Sequence, residues 1–329
     1  MEKNLTQGSV LKNVVSFSLP YLLSYFLQTL YGMADLFIIG QFEGVASTTA
    51  VSIGSQVMHM LTVMLVGLAM GATVSIAQAT GRGAKKDASA AIGNTVTLFM
   101  SLSVVLLFVL LVLRGSIVSV MSTPEEAVSG TLDYLTICFI GIPFITAYNI
   151  IASIFRGLGD SKSPMYFIAV ACVVNIALDY YFMGTLRLGP VGAALGTTLS
   201  QAVSVVISLA VIRKKQLIAV CRTDLRPCRS VMEKLLKIGV PVALQDGFIQ
   251  VSFVIITIIA NRRGLTDAAA VGIVEKIISF LFLIPSSMLS TVSALGAQNI
   301  GAGKPERARL TLRYAAMIAC AFGAAEVLL

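Results

Sequence analysis

The sequence predicts an all-α polytopic membrane protein. We expect two parallel six-helix repeats, related by a pseudo-two-fold axis along the membrane normal, with the second repeat incomplete. Three observations predict this fold: the apolar composition, the placement of basic residues and an internal repeat. Hydrophobic residues make up 57% of the 329 residues and charged residues only 12%, whereas soluble domains carry about 25% charged residues. The chain is therefore expected to cross a lipid bilayer many times.

Apolar segments divide the chain into its predicted helices. A helix needs about 20 mostly apolar residues to cross a bilayer. Nine segments approach or exceed that length: 14–40, 48–79, 92–113, 131–155, 164–185, 190–212, 238–260, 268–298 and 311–329. Two of them, 48–79 and 268–298, are longer than a straight crossing requires, so we expect tilt or an extension into the interface.

The basic residues predict the orientation. Most of the 24 lysines and arginines lie at alternate segment ends, near Lys12, in 82–86, in 156–162, in 213–237 and in 304–313. The positive-inside rule then places the N-terminus in the cytoplasm. We expect a multi-pass protein of the bacterial inner membrane. This distribution also accounts for the net charge of +8 without a nucleic-acid partner.

An internal repeat predicts the domain organisation. SLPYLL at 18–23 returns as GVPVAL at 239–244, and AQATGRGAK at 77–85 returns as AQNIGAGKP at 297–305. Both copies begin on the cytoplasmic side, so the repeats are parallel, as in some transporters. We expect an N-terminal six-helix lobe over 1–212, a basic cytoplasmic linker over 213–237 and a partial C-terminal lobe of three helices over 238–329. By this periodicity, a complete second repeat would end near residue ~440. Three further helices are therefore expected beyond this chain.

Enzyme and cofactor signals are absent from the sequence. No HExxH, GxSxG, P-loop or GxGxxG motif occurs, and each would be needed for a common catalytic or nucleotide site. The five cysteines form no CxxC pair, which argues against a disulfide or metal framework. We therefore predict a protein that is not an enzyme and has no cofactor.

A buried carboxylate is the strongest functional signal. Asp35 is the only charged residue in the segment 14–40 and is followed by apolar residues. Charged residues within a membrane are costly and mark ion or substrate pathways. The alternative is that Asp35 lies just outside the membrane at a helix end.

Further polar residues are expected at the depth of Asp35. Asn175 and Asp179 are four residues apart and share a helical face, and Thr197 follows the turn near 187–189 by a similar distance. Two carboxylates, an amide and a hydroxyl suit a small hard cation such as Na⁺. Two neighbouring carboxyl groups also suit a proton carrier. The alternative is a set of separate interhelical hydrogen bonds.

Other intramembrane polar residues give weaker signals. Tyr134 and Asn149 lie on one segment and approximately on one face, so they are expected to flank the site. Asp246 is the candidate acid of the C-terminal lobe, and Lys276 is the only cation that the sequence places within a segment.

Three stretches resemble one transporter family. LYGMADLFIIGQ at 30–41, FRGLGDSKSP at 155–164 and NIALD at 175–179 are similar to the multidrug and toxin extrusion (MATE) antiporters. The resemblance covers essentially the whole chain, which would then carry about nine of the family's twelve helices. It implies two six-helix lobes that open alternately, exporting cationic lipophilic compounds in exchange for Na⁺ or H⁺.

The resemblance also implies roles for individual residues. Asp35 matches the family's acid of the first helix, and Asn175, Asp179 and Thr197 match its N-lobe cation and proton site. Tyr134 and Asn149 match polar residues that flank this site. Some members carry an acid further along the seventh helix, where this chain has Gln250; Asp246 is the nearest carboxylate there.

The resulting hypothesis is a secondary active antiporter that exports cationic or lipophilic drugs in exchange for H⁺ or Na⁺, as a monomer when full length. Two alternatives stay open: a flippase for a lipid-linked oligosaccharide precursor, and a non-transporting truncated membrane protein. A flippase cavity should carry intramembrane arginine or lysine to bind pyrophosphate. Lys276 is the only candidate that the sequence offers for that role.

Overall fold

The computed structural model describes residues 5–215, 221–263, 271, 274 and 277–328. This part of the chain is helical throughout and contains no strand, as the composition predicts. We number its α-helices α1 (Val10–Phe42), α2 (Val45–Gly81), α3 (Lys85–Val120), α4 (Glu125–Ile140), α5 (Ile142–Gly157), α6 (Lys162–Asp179), α7 (Gly189–Lys215), α8 (Arg229–Arg263), α9 (Leu283–Gly301) and α10 (Pro305–Leu328). A π-helix, Tyr180–Thr185, continues α6.

Seven of these helical stretches are long and apolar enough to cross a membrane, or eight if α4 and α5 form one span. The chain is therefore a multi-pass α-helical membrane protein. The linker predicted over 213–237 is partly helical, because α7 extends to Lys215 and α8 begins at Arg229.

The predicted segment 131–155 is broken in the middle. The axes of α4 and α5 meet at 49°, at Gly141. Pro143 follows in the first turn of α5. A proline there leaves no hydrogen bond of α5 unmade, because the first N–H groups of a helix have no intrahelical partner. The same proline cannot donate to a carbonyl of α4, so the two helices cannot join into one. A β-carbon on Gly141 would come within 2.7 Å of the Thr198 side chain, so glycine also allows the bend to pack closely on α7.

The first seven helices form one bundle around α2, α5 and α7. α6 packs on both α1 and α7, and α4 packs on both α2 and α7. One core cluster of this bundle is formed by side chains from α1, α2, α3, α4, α5 and α7, including Ile39, Leu65, Leu135 and Ala194. This bundle holds every residue of the predicted N-lobe site.

The helices α8 to α10 pack on the bundle through α1 and α2. α2 contacts both α8 and α9 extensively. Gly81 contacts the carbonyl of Gln298, and Gly301 contacts the carbonyl of Gln78. A β-carbon on either glycine would clash with that carbonyl. These two contacts are reciprocal, and they bring α2 and α9 close together.

Candidate functional site

Asp35 lies inside α1 rather than at its end, because α1 continues to Phe42. Its side chain is 2% exposed. The Thr197 hydroxyl on α7 donates a hydrogen bond to Asp35 Oδ2 at 3.2 Å. The other carboxyl oxygen, Oδ1, has no hydrogen-bond partner. α1 therefore carries a buried carboxyl group whose Oδ1 atom is available to bind a cation or a proton.

Asp179 and Asn175 complete this cluster from α6. Both side chains are fully buried, and all their side-chain oxygen and nitrogen atoms lack hydrogen-bond partners. Asp35 lies within interaction range of Asp179, Asn175 and Thr197. Leaving a polar group buried without a partner costs about 1–3 kcal/mol. Several such groups together indicate a site that takes up something from outside the chain.

Local backbone geometry brings Asp179 and Thr197 to the same depth. The chain leaves α6 through the π-helix and turns at Arg187, which has a φ of 51°. α7 then returns along α6. The backbone of Gly196 lies directly against the Asp179 carboxyl group, so any larger residue there would displace it.

Two tyrosines lie beside the cluster. Tyr134, predicted from the sequence, is 1% exposed and packs against Gly54 of α2. It interacts with Asp35 and with Tyr31. Tyr31 itself interacts with Asp35 and Thr197. Sequence reasoning missed Tyr31, although its position four residues before Asp35 places both on one face of α1.

Asn149 does not join this cluster. Its amide donates to the Ile145 carbonyl at 2.9 Å, and its side chain lines a separate small cavity together with Ser153 and Arg156. Fifteen residues separate it from Tyr134, roughly 22 Å along a helix, and the bend between α4 and α5 lies between them. The expectation that Asn149 flanks Asp35 does not fit this placement.

Asp246 also lies apart from Asp35. It is on α8 and approaches Gly67 of α2, where a β-carbon would come within 2.9 Å of Oδ2. It is therefore a carboxylate of the contact between α8 and α2. Lys276 lies outside the described residues.

Arg156 is a cation of the last turn of α5 that packs against another helix. From the sequence it is expected at a cytoplasmic segment end, which leaves Lys276 as the cation expected within a segment. The structure places the Arg156 guanidinium over the Tyr21 ring, 4.6 Å from the centroid. The reason is that side chains on a helix point back toward its N-terminus, which for the last turn of α5 is toward the membrane interior.

The Asp35 cluster is chemically suited to H⁺ or Na⁺. Carboxylate, amide and hydroxyl oxygens are hard ligands. In the part of the chain that the structure describes, no group of three or more His, Cys, Asp or Glu side chains forms a transition-metal site.

Comparisons with known proteins show which family the chain resembles. The MatE family profile matches residues 20–181 and 241–329. The probable multidrug resistance protein YpnP of Bacillus subtilis is 31% identical over 304 residues, 92% of this chain and 68% of that protein. The probable multidrug resistance protein YoeA of the same organism is 28% identical over 316 residues, 94% of this chain and 68% of that protein.

Solved structures show the same fold. A MOP superfamily transporter from Pyrococcus furiosus superposes with a TM-score of 0.90 at 26% identity, covering 98% of this chain and 72% of the other. An outward-facing multidrug resistance MATE family transporter of the MOP superfamily superposes with a TM-score of 0.89 at 25% identity, covering 99% and 72%.

Proposed function

The chain belongs to the MatE family, and we propose that it is a secondary active antiporter exporting cationic or lipophilic drugs in exchange for H⁺ or Na⁺. The observation that carries this proposal is the buried group of Asp35, Asp179 and Asn175, with five side-chain atoms lacking hydrogen-bond partners. The export of drugs is suggested by the names of the relatives, which are multidrug resistance proteins.

The coupling cation is proposed to bind between Asp35 and Asp179. Two carboxylates in a dry site repel one another, and binding of H⁺ or Na⁺ relieves that repulsion. Thr197 and Asn175 add neutral ligands. Because Asp35 is on α1 and the other three residues are on α6 and α7, the bound cation would hold α1 against these two helices. A cation that binds one arrangement of α1 more tightly shifts the protein toward that arrangement.

We propose that the two lobes open alternately, and that the state described is closed on the cytoplasmic side. α8 and α9 contact the half of α2 nearest its basic end, through Gly71 with Leu235 and Gly81 with Gln298. On the opposite half, α1 and α8 expose large apolar side chains, among them Met33, Phe37, Ile255 and Ile256. Exposed apolar side chains of this kind can contact lipophilic compounds.

The proposed cellular setting follows from the charge distribution. We propose a bacterial inner membrane with the N-terminus in the cytoplasm, and the concentration of basic residues at one set of helix ends supports this orientation. They are segment-end residues and not a nucleic-acid surface. We propose that the partners are small molecules and the lipid bilayer, that the complete protein is a monomer, and that it acts as a transporter rather than an enzyme.

Transport in proteoliposomes tests this function. A fluorescent lipophilic cation such as ethidium would be followed while an H⁺ gradient or a Na⁺ gradient is imposed separately. We expect one gradient to drive ethidium movement in the full-length protein, and neither to drive it in Asp35→Asn or Asp179→Asn. Infrared spectroscopy of the carboxyl C=O band provides a second readout, because the site lies wholly within α1–α7. If neither H⁺ nor Na⁺ changes an Asp35- or Asp179-dependent band, and neither gradient moves ethidium, the proposal is wrong.

A further inference from the structure

A second buried polar group lies near the end of α5. Arg156 is only partly exposed, and its guanidinium stacks on Tyr21 of α1 at 4.6 Å. Tyr25 and Tyr148 are also within interaction range. An aromatic face attracts a cation by about 0.5–2 kcal/mol, which orients the guanidinium but does not neutralise its charge.

Arg156 has no anionic partner in the part of the chain that the structure describes. The ion pairs there join Arg82 to Asp87 and Arg309 to Glu306. No described side chain or carbonyl accepts a hydrogen bond from Arg156, although guanidinium offers five N–H donors. Asp246 lies against Gly67 instead. The guanidinium is partly withdrawn from water and its N–H donors are not used by the described residues, so it is available to bind an anion from outside the chain.

The guanidinium lines a cavity between the α1–α7 bundle and α9. Polar lining comes from Thr73, Asn149, Ser153 and Ser290, and apolar lining comes from Val66, Ala69 and Met70. The cavity measures about 10 Å³, room for roughly one water molecule. The Tyr25 and Ser290 hydroxyls share a hydrogen bond at 2.8 Å, which joins α1 to α9 at its edge. Separation of α1 from α9 would enlarge the cavity toward the cytoplasmic side.

We propose that Arg156 is an anion-binding residue, and that this cavity takes the carboxylate or phosphate group of an amphiphilic molecule when the lobes part on the cytoplasmic side. The inference deepens the proposed transport function and relies on it only for this separation. Arginine matches carboxylate and phosphate in a two-bond geometry. Asn149 adds a neutral donor, because only one N–H of its amide is used within α5. The apolar lining suits the alkyl part of the same molecule.

Tryptophan fluorescence gives a direct binding assay. The sequence contains no tryptophan, so Tyr21→Trp places a single reporter beside Arg156 and keeps an aromatic face under the guanidinium. The protein would be placed in nanodiscs of phosphatidylcholine. It would then be titrated with N-lauroylglycine, its methyl ester, monododecyl phosphate and dodecyltrimethylammonium. We expect saturable binding of the carboxylate and the phosphate, and binding of the ester and the cation at least about tenfold weaker.

Substitutions separate recognition from structure. In the Tyr21→Trp background, Arg156→Gln should weaken binding of the two anions about 10- to 100-fold and leave binding of the ester unchanged. Arg156→Lys keeps the charge without the two-bond geometry and should retain part of the affinity. Arg82→Gln is the matched control, because Arg82 is an exposed arginine at a basic helix end, and it should behave as the parent. Thermal unfolding would confirm that each variant is folded.

The same assay distinguishes the source of the anion. If the ligand is a lipid headgroup, replacing part of the phosphatidylcholine with phosphatidylglycerol should shift the tryptophan emission and reduce N-lauroylglycine binding, with both effects lost in Arg156→Gln. If it is a free amphiphile, phosphatidylglycerol should have no effect. Equal affinity for N-lauroylglycine and its ester, or anion binding that survives Arg156→Gln, would overturn the proposal and assign Arg156 to helix packing alone. Neither result depends on transport.

Discussion

The backbone of Gly81 on α2 lies directly against the Gln298 carbonyl on α9, with no space for a β-carbon between the two helices. This contact lies at the end of the molecule where basic residues concentrate. Small residues allow such close helix crossings within a bilayer.

Gly81→Ala is expected to weaken this contact. The added methyl group must push α9 away, and overpacking of this kind costs about 1–3 kcal/mol. Thermal unfolding in detergent should show a lower Tm than the parent. Gly115→Ala on α3 is the matched control, because a β-carbon there meets no atom within 4 Å, and it should leave Tm unchanged or slightly higher. Equal Tm values for both variants would contradict the importance of the Gly81 contact.

Asp35→Asn and Asp179→Asn should each abolish cation-coupled transport. The neutral amide removes the charge that binds the cation, while insertion is preserved because an amide is easier to bury than a carboxylate. The double variant should be no worse than either single one, because groups that act together are not additive. Flux in proteoliposomes measures the effect, with the exposed Asp87→Asn as control. Near-native exchange by either single variant would contradict this prediction, and Asp246 would then be the next candidate for the coupling carboxylate.

Thr197→Ala and Asn175→Ala should weaken coupling without abolishing it. Thr197 donates one hydrogen bond to Asp35 at 3.2 Å, and a hydrogen bond to a charged group is worth about 1.5–3 kcal/mol. We expect the half-saturating cation concentration to rise about tenfold or more. Thr136→Ala is the control, because Thr136 bonds Leu132 and Arg114 and not the cluster. Unchanged cation affinity in Thr197→Ala would show that this bond is only structural.

Asn94→Ala should release the segment that precedes α8. Asn94 Oδ1 accepts from the Cys228 N–H at 2.7 Å, and its amide donates to the Asp224 carbonyl at 3.3 Å. Without these bonds, trypsin should cleave after Arg222, which is followed by Thr223, roughly tenfold faster or more, because local opening costs less. Asn13→Ala removes a similar anchor at the N-terminus and should not change cleavage at Arg222. No increase in Asn94→Ala would show that other contacts hold the segment.

Cys228 should react with iodoacetamide faster than Cys221 near neutral pH. Both thiols are exposed, but hydrogen bonds from the Ser230 hydroxyl and the Val231 N–H lower the pKa of the Cys228 thiol. A lower pKa gives more thiolate at pH 7. As pH rises above the lowered pKa of the Cys228 thiol, its thiolate fraction and therefore its rate should level off. Rates measured on single-cysteine variants test this, and Ser230→Ala should slow Cys228. Equal rates for both cysteines at pH 7 would contradict it.

The helix pattern was largely predictable, because long apolar runs leave few alternatives to helices in a bilayer. The helices α1, α2, α3, α7 and α8 cover the corresponding predicted segments, and α6 covers its segment together with the π-helix Tyr180–Thr185. The predicted segment 131–155 is instead two helices, α4 and α5. Hydropathy alone does not reveal the bend that Gly141 and Pro143 produce between them. Asn149 lies beyond this bend and lines the cavity beside Arg156, and its expected role at the Asp35 site stays a prediction.

By itself, the sequence determined that this is a multi-pass helical protein and that Asp35, Asn175, Asp179 and Thr197 are the polar residues to examine. Helical spacing and the cost of charge in hydrocarbon are local properties, and they can be read from neighbouring residues. Only the tertiary structure decided that the Thr197 hydroxyl meets Asp35 from another helix and that Arg156 faces Tyr21 rather than water. Those contacts join residues more than a hundred positions apart, and their geometry depends on how whole helices tilt, bend and pack.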